Sequence, residues 1–263
     1  MISDTWECGN PYELYIGRWS RQIAPRFLSW LNCPTGKDWV DVGCGTGALC
    51  AAIVDRCAPS SVTGIEPSEG FLKAAKDNLA ARARFYQGTA TAIPLDNTSA
   101  DVVVSGLVLN FIADQQAALA EMARLTRRGG TIAAYVWDYA EKMELIRYFW
   151  DAAIALNPGD TDKDEGIRFP MCRPEPLQRL FVDAGLQNID VAPIDIPTPF
   201  ANFDDFWQPF LGGQGPAPAY TMSLDETART RLRNHLRECL PKTESDSISL
   251  IARAWAIRAT VAE

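Results

Sequence analysis

Trp39-Val40-Asp41-Val42-Gly43-Cys44-Gly45-Thr46-Gly47 decides the fold: an apolar run with an acid near its end breaks into three alternating glycines. Residues 38–42 read as a short strand and residues 48–57 have the composition of a helix, so the segment is strand, glycine turn, helix. Glycine lets the backbone turn through positive φ and approach a ligand with no side chain in the way. The rhythm continues outward. Residues 61–65 read as a strand, 69–81 as an amphipathic helix, 84–87 and 101–105 as strands, 114–126 as a helix and 131–137 as a strand. Such alternation predicts an α/β fold with a parallel sheet covered by helices on both faces.

After Trp137 the rhythm breaks. Residues 141–156 read as a helix that runs into a polar, Gly- and Pro-containing stretch at 157–174, expected as an insertion or loop. A helix at 175–184, capped by Gly185, and a strand at 188–191 follow, and 248–258 is the final strand. About fifty residues rich in aromatics and prolines separate those last two strands, a length that usually marks a functional lid. The expected organisation is an N-terminal helical cap at 1–37 and one domain at 38–263, with insertions at 138–174 and 197–245, the second a substrate lid.

The chain has 263 residues, 47% apolar and 22% charged, in the range of one α/β core domain with insertions. Its net charge of -8 repels polyanions, which argues against nucleic acid as a partner. The longest apolar stretches, at 102–112 and 247–257, are interrupted and too short to span a bilayer, so no membrane partner is expected. Asp4, Glu7 and Glu13 stand where an export signal needs basic and then apolar residues, so the expected location is the cytoplasm. Seven cysteines, at 8, 33, 44, 50, 57, 172 and 239, form no CxxC pair and read as reduced thiols without a metal.

Gly43, Gly45 and Ala48 also fit a dinucleotide-binding GxGxxG/A pattern, so the glycines alone leave the cofactor open. Asp41 discriminates, because a carboxylate two residues before the turn would repel the diphosphate of NAD. S-adenosylmethionine carries no phosphate, and its ammonium and sulfonium are cations. Glu66 closes the second strand where open α/β sheets place an acid for the two ribose hydroxyls. Pro67 and Phe71 line the adenine side, or Phe71 belongs to the helix core.

On these motifs the chain resembles the class I S-adenosylmethionine-dependent methyltransferases, type 11 group, which includes ubiquinone- and menaquinone-biosynthesis-like C-methyltransferases. The resemblance covers residues 38–137. DVGCGTG matches the first motif, GIEPSEGFL the acidic segment after strand two, GTATAIPLDNTSADVVVSGLVLNFI the adenine loop and fourth strand, and EMARLTRRGGTIAAYVWD the helix, turn and fifth strand. It implies a Rossmann-like, mostly parallel seven-stranded sheet with a late antiparallel strand. It also implies that Asp41, Gly43 and Gly45, with Cys44 and Gly47, hold the methionine end, Glu66 and Pro67 the nucleoside, Thr89 and Ala90 the adenine, and Ser105, Gly106 and Leu107 the amino-acid moiety. Thr89 stands where relatives commonly have an acid, and Asn110 near where they often have His. YELYIGRWS resembles the group's helical cap, in which Arg18 would meet the methionine carboxylate and Tyr12, Tyr15 or Trp19 would shield the sulfonium, or simply pack on the core.

The expected reaction is direct displacement of the methyl group by a small, partly apolar acceptor, with proximity and exclusion of water doing most of the catalysis. Asp138, Tyr139, Asp204, Asp205 and Tyr220 are the candidate bases, and Phe203, Phe206, Trp207, Phe210 and Tyr220 either face the acceptor or pack the insertion. His235, the sole histidine, falls on a charged helical face, and Arg124, Arg127 and Arg128 read as favourable charges at a helix C-terminus. Carbon, oxygen and nitrogen acceptors all fit. The alternatives are a non-catalytic S-adenosylmethionine sensor or scaffold and an NAD-linked oxidoreductase.

Overall fold

The computed structural model describes residues 13–241, 243 and 246–263. Seven strands form one sheet in the order β3-β2-β1-β4-β5-β7-β6, with β1 Asp38–Val42, β2 Ser61–Glu66, β3 Arg84–Gln87, β4 Ala100–Gly106, β5 Thr126–Trp137, β6 Gln187–Phe200 and β7 Ile248–Thr260. The first five strands pair in parallel, with Asp41 beside Gly64 on one side and Val104 on the other. The order reverses at β1, where the chain crosses from β3 on one edge to β4 on the other side. That reversal leaves a crevice beyond the carboxyl ends of β1 and β4, the usual ligand position in open α/β sheets. Near-continuous apolar strands, buried on both faces, are what a covered parallel sheet requires, and Val102, Val103 and Val104 are all buried.

β7 is antiparallel to β5. The Gly129 amide donates to the Val261 carbonyl at 3.1 Å and the Asp138 amide to the Arg253 carbonyl at 2.9 Å, so one number rises as the other falls. β6 is much longer than the expected strand at 188–191 and runs on through Pro193, Pro197 and Pro199. All three prolines are exposed and lie in the outermost strand, where proline is tolerated, while Ile194, Ile196, Thr198 and Phe200 alternate inward. The segment expected to begin a lid at 197 therefore starts inside a strand. β5 also begins earlier than expected, at Thr126.

The helices are α1 Arg18–Leu31, α2 Ala48–Arg56, α3 Glu69–Leu79, α4 Gln115–Leu125, α5 Glu144–Leu156, α6 Glu165–Arg168, α7 Pro174–Asp183, α8 Phe203–Trp207, α9 Pro216–Ser223 and α10 Glu226–Cys239. A wide helical turn at Glu13–Gly17 leads into α1. The stretch at 157–174 is structured by a short helical turn at Pro158–Lys163 followed by α6.

The chain divides into two compact units. A sheet unit gathers Ser20–Val136, Met171–Ile194 and Ala254–Glu263, and an aromatic unit gathers the described residues up to Trp19 together with Trp137–Pro170 and Asp195–Arg253. α1 crosses the boundary, and Phe27 packs on Tyr135 within the sheet unit, ring centroids 4.6 Å apart and planes tilted by 46°. Arg127 lies in β5, not at a helix end, and its guanidinium ties Asp38 to Asp101 at 3.0 and 2.9 Å.

In the aromatic unit Phe149 stacks on Phe210 with centroids 4.6 Å apart, and Phe203 lies parallel to Trp207 at 6.5 Å. The ring residues expected on a lid are thus buried in a packed helical segment. Arg147 is held by Asp164 at 2.7 Å and by Asp151 at 2.6 Å, and the Trp150 indole donates to the buried Glu165 carboxylate at 2.9 Å.

Candidate functional site

The glycine turn adopts the geometry its residues favour. Gly43, Gly45 and Gly47 have φ of 77°, 54° and 86°, in the left-handed region that other residues rarely enter. They do different work. A β-carbon on Gly43 would lie 2.6 Å from Val108 Cγ1, and one on Gly47 2.6 Å from Leu79 Cδ1, so these two permit close packing. One on Gly45 would meet nothing within 4 Å, so the space beside it is open to a ligand.

Two acids lie beneath the turn. Glu66, at the end of β2, accepts the Gly45 amide at 3.0 Å and the Ser68 amide at 2.9 Å, fixing the turn to the start of α3. Each oxygen keeps acceptor capacity for a further donor. Asp41 is 1% exposed; its Oδ2 accepts the Cys50 thiol at 3.2 Å, and its Oδ1 has no partner among the described residues. Burial raises the Asp41 carboxyl from about 3.8 to about 7, opposed by the Cys50 thiol and reinforced by the charge of Glu66. Burial also raises Glu66, partly offset by its two amide donors. A repulsive full charge on Asp41 is therefore only part of the case against a diphosphate. The stronger feature is a pair of buried carboxyls with no cationic side chain paired to either among the described residues, an arrangement a cationic ligand would relieve.

The loop after β4 completes the site within the sheet unit. Ser105 is fully buried and spends its hydroxyl on the Val42 carbonyl at 2.9 Å, tying β4 to β1, so its side chain is structural. Leu107 has φ of 63°, costly for a leucine, and its amide donates to the Tyr135 carbonyl at 2.8 Å. Gly106 is close-packed, since a β-carbon would meet the Tyr135 hydroxyl at 2.6 Å. Val108, which touches Gly43, leads to Asn110, which is 6% exposed with neither side-chain amide atom hydrogen-bonded among the described residues. In the sequence Asn110 reads only as the loss of a histidine; in the structure it is a buried carboxamide with all its hydrogen-bonding capacity unspent.

Thr89 and Ala90 form a turn after β3, closed by a bridge between Thr89 and Ala92 and preceded by a Gly88 amide bond to the Glu66 carbonyl at 3.3 Å. Pro67 is exposed at the end of β2 and its carbonyl accepts the Gln87 side-chain Nε2 at 3.1 Å. Phe71 is buried on α3. The glycine turn, Glu66, Pro67, Thr89, Ala90 and the residues after β4 thus come from successive carboxyl ends of β1, β2, β3 and β4.

Arg18 belongs to the aromatic unit, where it pairs with Asp205 at 3.0 Å and its guanidinium lies 4.4 Å from the Trp19 ring and 4.8 Å from Phe200. Tyr15 and Trp19 are buried; Tyr12 lies outside the described residues. Cys50, the donor to Asp41, escapes a reading of the sequence because a cysteine on a helix carries no local signal of its partner. Arg124 binds Glu121 at 2.7 Å and the carbonyls of Ile93 and Leu95, and so fixes the loop before β4. His235 lies on α10 with the Cys239 sulfur 3.7 Å from its ring. Among the described residues no three His, Cys, Asp or Glu side chains converge on a metal position, and no helix is long and apolar enough to cross a membrane.

Residues 40–134 match the family model described as a methyltransferase domain. The chain is 33% identical over 112 residues to a malonyl-[acyl-carrier protein] O-methyltransferase of Serratia marcescens, a match spanning 43% of each chain. It is 28% identical over 179 residues to a demethylmenaquinone methyltransferase of Staphylococcus aureus, covering 63% of this chain and 74% of that one. Among solved structures, a Bacillus halodurans protein provisionally classed as a methyltransferase superposes with a TM-score of 0.62 at 13% identity, covering 92% of this chain and 100% of that one. Strand order, glycine turn and strand-end acids agree with these likenesses: residues 40–134 carry a class I S-adenosylmethionine-dependent methyltransferase domain of the type 11 group.

Proposed function

We propose that this protein transfers the methyl group of S-adenosylmethionine to a small, partly apolar acceptor recognised by the aromatic unit. The observation that carries the reading is the open space at Gly45 beside two buried, cation-free carboxyls, Asp41 and Glu66. In this reading Glu66 receives the ribose hydroxyls on its spare acceptor sites while still holding the turn. Asp41 Oδ1 faces positive charge, Thr89 and Ala90 border the adenine, and the main chain at Ser105, Gly106 and Leu107 borders the amino-acid end. Arg18, held by Asp205, is assigned to the acceptor-binding unit rather than to the cofactor. When bound, the cofactor supplies an activated methyl group, and the residues around it need only orient, exclude water and accept a proton where the acceptor carries one.

For that proton the reading favours Asp138. Asp204 pairs with Arg233, Asp205 with Arg18, and the Tyr220 hydroxyl donates to Asp160, with burial raising it to about 12. Asp138 is 2% exposed; its Oδ1 accepts the Glu141 amide at 3.1 Å, its Oδ2 has no partner among the described residues, and burial raises its carboxyl. A carboxyl raised above its ordinary range is a stronger base once ionised than a solvated one. Calorimetry with S-adenosylmethionine, S-adenosylhomocysteine and NAD, followed by S-adenosylhomocysteine release with a panel of small apolar acceptors, tests the proposal. Binding of the two sulfur nucleosides but not NAD, with turnover, is expected. Comparable binding of NAD, or binding without turnover on any acceptor, would overturn it.

A further inference from the structure

Three polar side chains of the aromatic unit are buried with nothing to bond. The Tyr15 hydroxyl, the Trp19 indole nitrogen and the Thr198 hydroxyl have no hydrogen-bond partner among the described residues, and their side chains are 2%, 3% and 0% exposed. They flank one cluster of rings. Tyr15 meets Phe210 at 5.6 Å, Phe210 meets Phe206 at 5.5 Å, Phe206 meets Phe200 at 5.3 Å, and Phe200 meets Trp19 at 5.5 Å. The chain of contacts is closed by the helix itself, because Tyr15 and Trp19 stand four residues apart on its continuous helical path. Thr198 lies on the same inward face of β6 as Phe200, two residues away.

A buried donor without a partner costs about 1–3 kcal/mol, so three around one ring cluster are unlike ordinary packing. The indole nitrogen only donates, and so fixes the polarity of what would satisfy it; the two hydroxyls adapt to it. Burial, with the nearby Glu165 carboxylate as the next contribution, holds the Tyr15 hydroxyl protonated well above its ordinary range, so it too is a donor.

We propose that Tyr15, Trp19 and Thr198 form the polar edge of the acceptor site and select an apolar molecule bearing a hydrogen-bond-accepting oxygen, such as a carbonyl or a phenol, over hydrocarbons and amines. The inference rests on the reading that the aromatic unit binds the acceptor. It narrows that acceptor to an oxygenated apolar class, with the donors meeting the oxygen and the rings meeting the body.

The test uses the full chain saturated with S-adenosylhomocysteine and two matched probes: α-tetralone, which carries a carbonyl and no donor, and tetralin, the same skeleton without oxygen. Calorimetry should show α-tetralone bound at least tenfold more tightly than tetralin, and Tyr15→Phe and Thr198→Val should each shrink that preference several-fold while leaving tetralin unchanged. A readout independent of any probe is the melting temperature of the ligand-free variants. Removing a hydroxyl that bonds nothing leaves it level or raises it, whereas a fall of more than about 4 °C would show that ordered water or protein already satisfies the group. Such a fall, the absence of any preference in the parent chain, or a preference unchanged in both variants would overturn the inference. Failure of S-adenosylhomocysteine itself to bind would instead overturn the proposed function, and the melting temperatures would still test the donors by themselves.

Discussion

Replacing Asp41 by asparagine keeps the shape of the buried side chain and removes its ionisation. With the carboxyl raised from 3.8 to about 7, the ligand-free folded chain holds a proton there that the unfolded chain releases. The stability associated with that proton is fully present below pH 4 and is lost as pH rises to about 7. The whole difference is worth roughly 4 kcal/mol at 1.36 kcal/mol per unit, of which about 1.5 kcal/mol has been lost by pH 5. Asparagine has no such dependence, so urea denaturation of parent and variant at pH 5 and pH 8 should show the variant gaining about 2–3 kcal/mol relative to the parent between the two. Saturating S-adenosylmethionine should reverse the ranking, because a cation beside Asp41 Oδ1 restores the ionised form. The parent's affinity should therefore rise with pH from 6 to 8, and that of the variant should stay flat. Stability curves for the two proteins that run parallel from pH 5 to pH 8 would refute the reasoning, because Asp41 would then not be the titrating group.

Gly45→Ala should cost about 1–2 kcal/mol of stability from its left-handed φ of 54° but weaken S-adenosylhomocysteine binding at least tenfold, since the new methyl group occupies the open space. Gly43→Ala, which drives into Val108, should show the opposite balance, with denaturation affected more than the dissociation constant per folded molecule. Glu66→Ala loses the anchors of the Gly45 and Ser68 amides, so both calorimetric affinity and denaturation midpoint should fall, by about 1–3 kcal/mol each, with Glu66→Gln intermediate. Asn110→Leu should leave the ligand-free chain at least as stable, because no hydrogen bond is lost, yet reduce methyl-transfer turnover about tenfold or more; unchanged turnover would make Asn110 a bystander.

The geometry of the candidate cofactor side was legible because its instructions are local. The spacing of Asp41, the glycines and Glu66 is fixed by one strand–turn–helix–strand unit, and β1 and β3 fall at the expected positions 38–42 and 84–87. Legibility fails where the partner is distant in sequence. Nothing in Thr198 or Pro199 announces an edge strand, because prolines break central strands and are tolerated at an edge, and only the tertiary position of β6 tells which rule applies. The same holds for Asn110 and Tyr15, whose significance is side-chain polar atoms with no hydrogen-bond partner among the described residues, a property no local pattern encodes. Nor does the sequence show that α1 sends Phe27 onto Tyr135 while Arg18 and Trp19 join the aromatic unit, one helix serving two cores.

The sheet order carries a cost during synthesis. β5 is complete by Trp137, but the strand that covers its outer edge is β7, which ends at Thr260. Until that last strand emerges from the ribosome, more than a hundred residues later, a nascent chain presents a twelve-residue open ladder that includes the apolar run Ile132–Trp137. An unpaired edge of that kind is a template for the wrong partner. Two charges, Arg127 and Arg128, and two glycines, Gly129 and Gly130, occupy the start of the ladder and make it a poor one for intermolecular pairing. Insertion of β7 is then the step that commits the chain, since the same strand closes the sheet and contributes Ile248–Arg253 to the other unit.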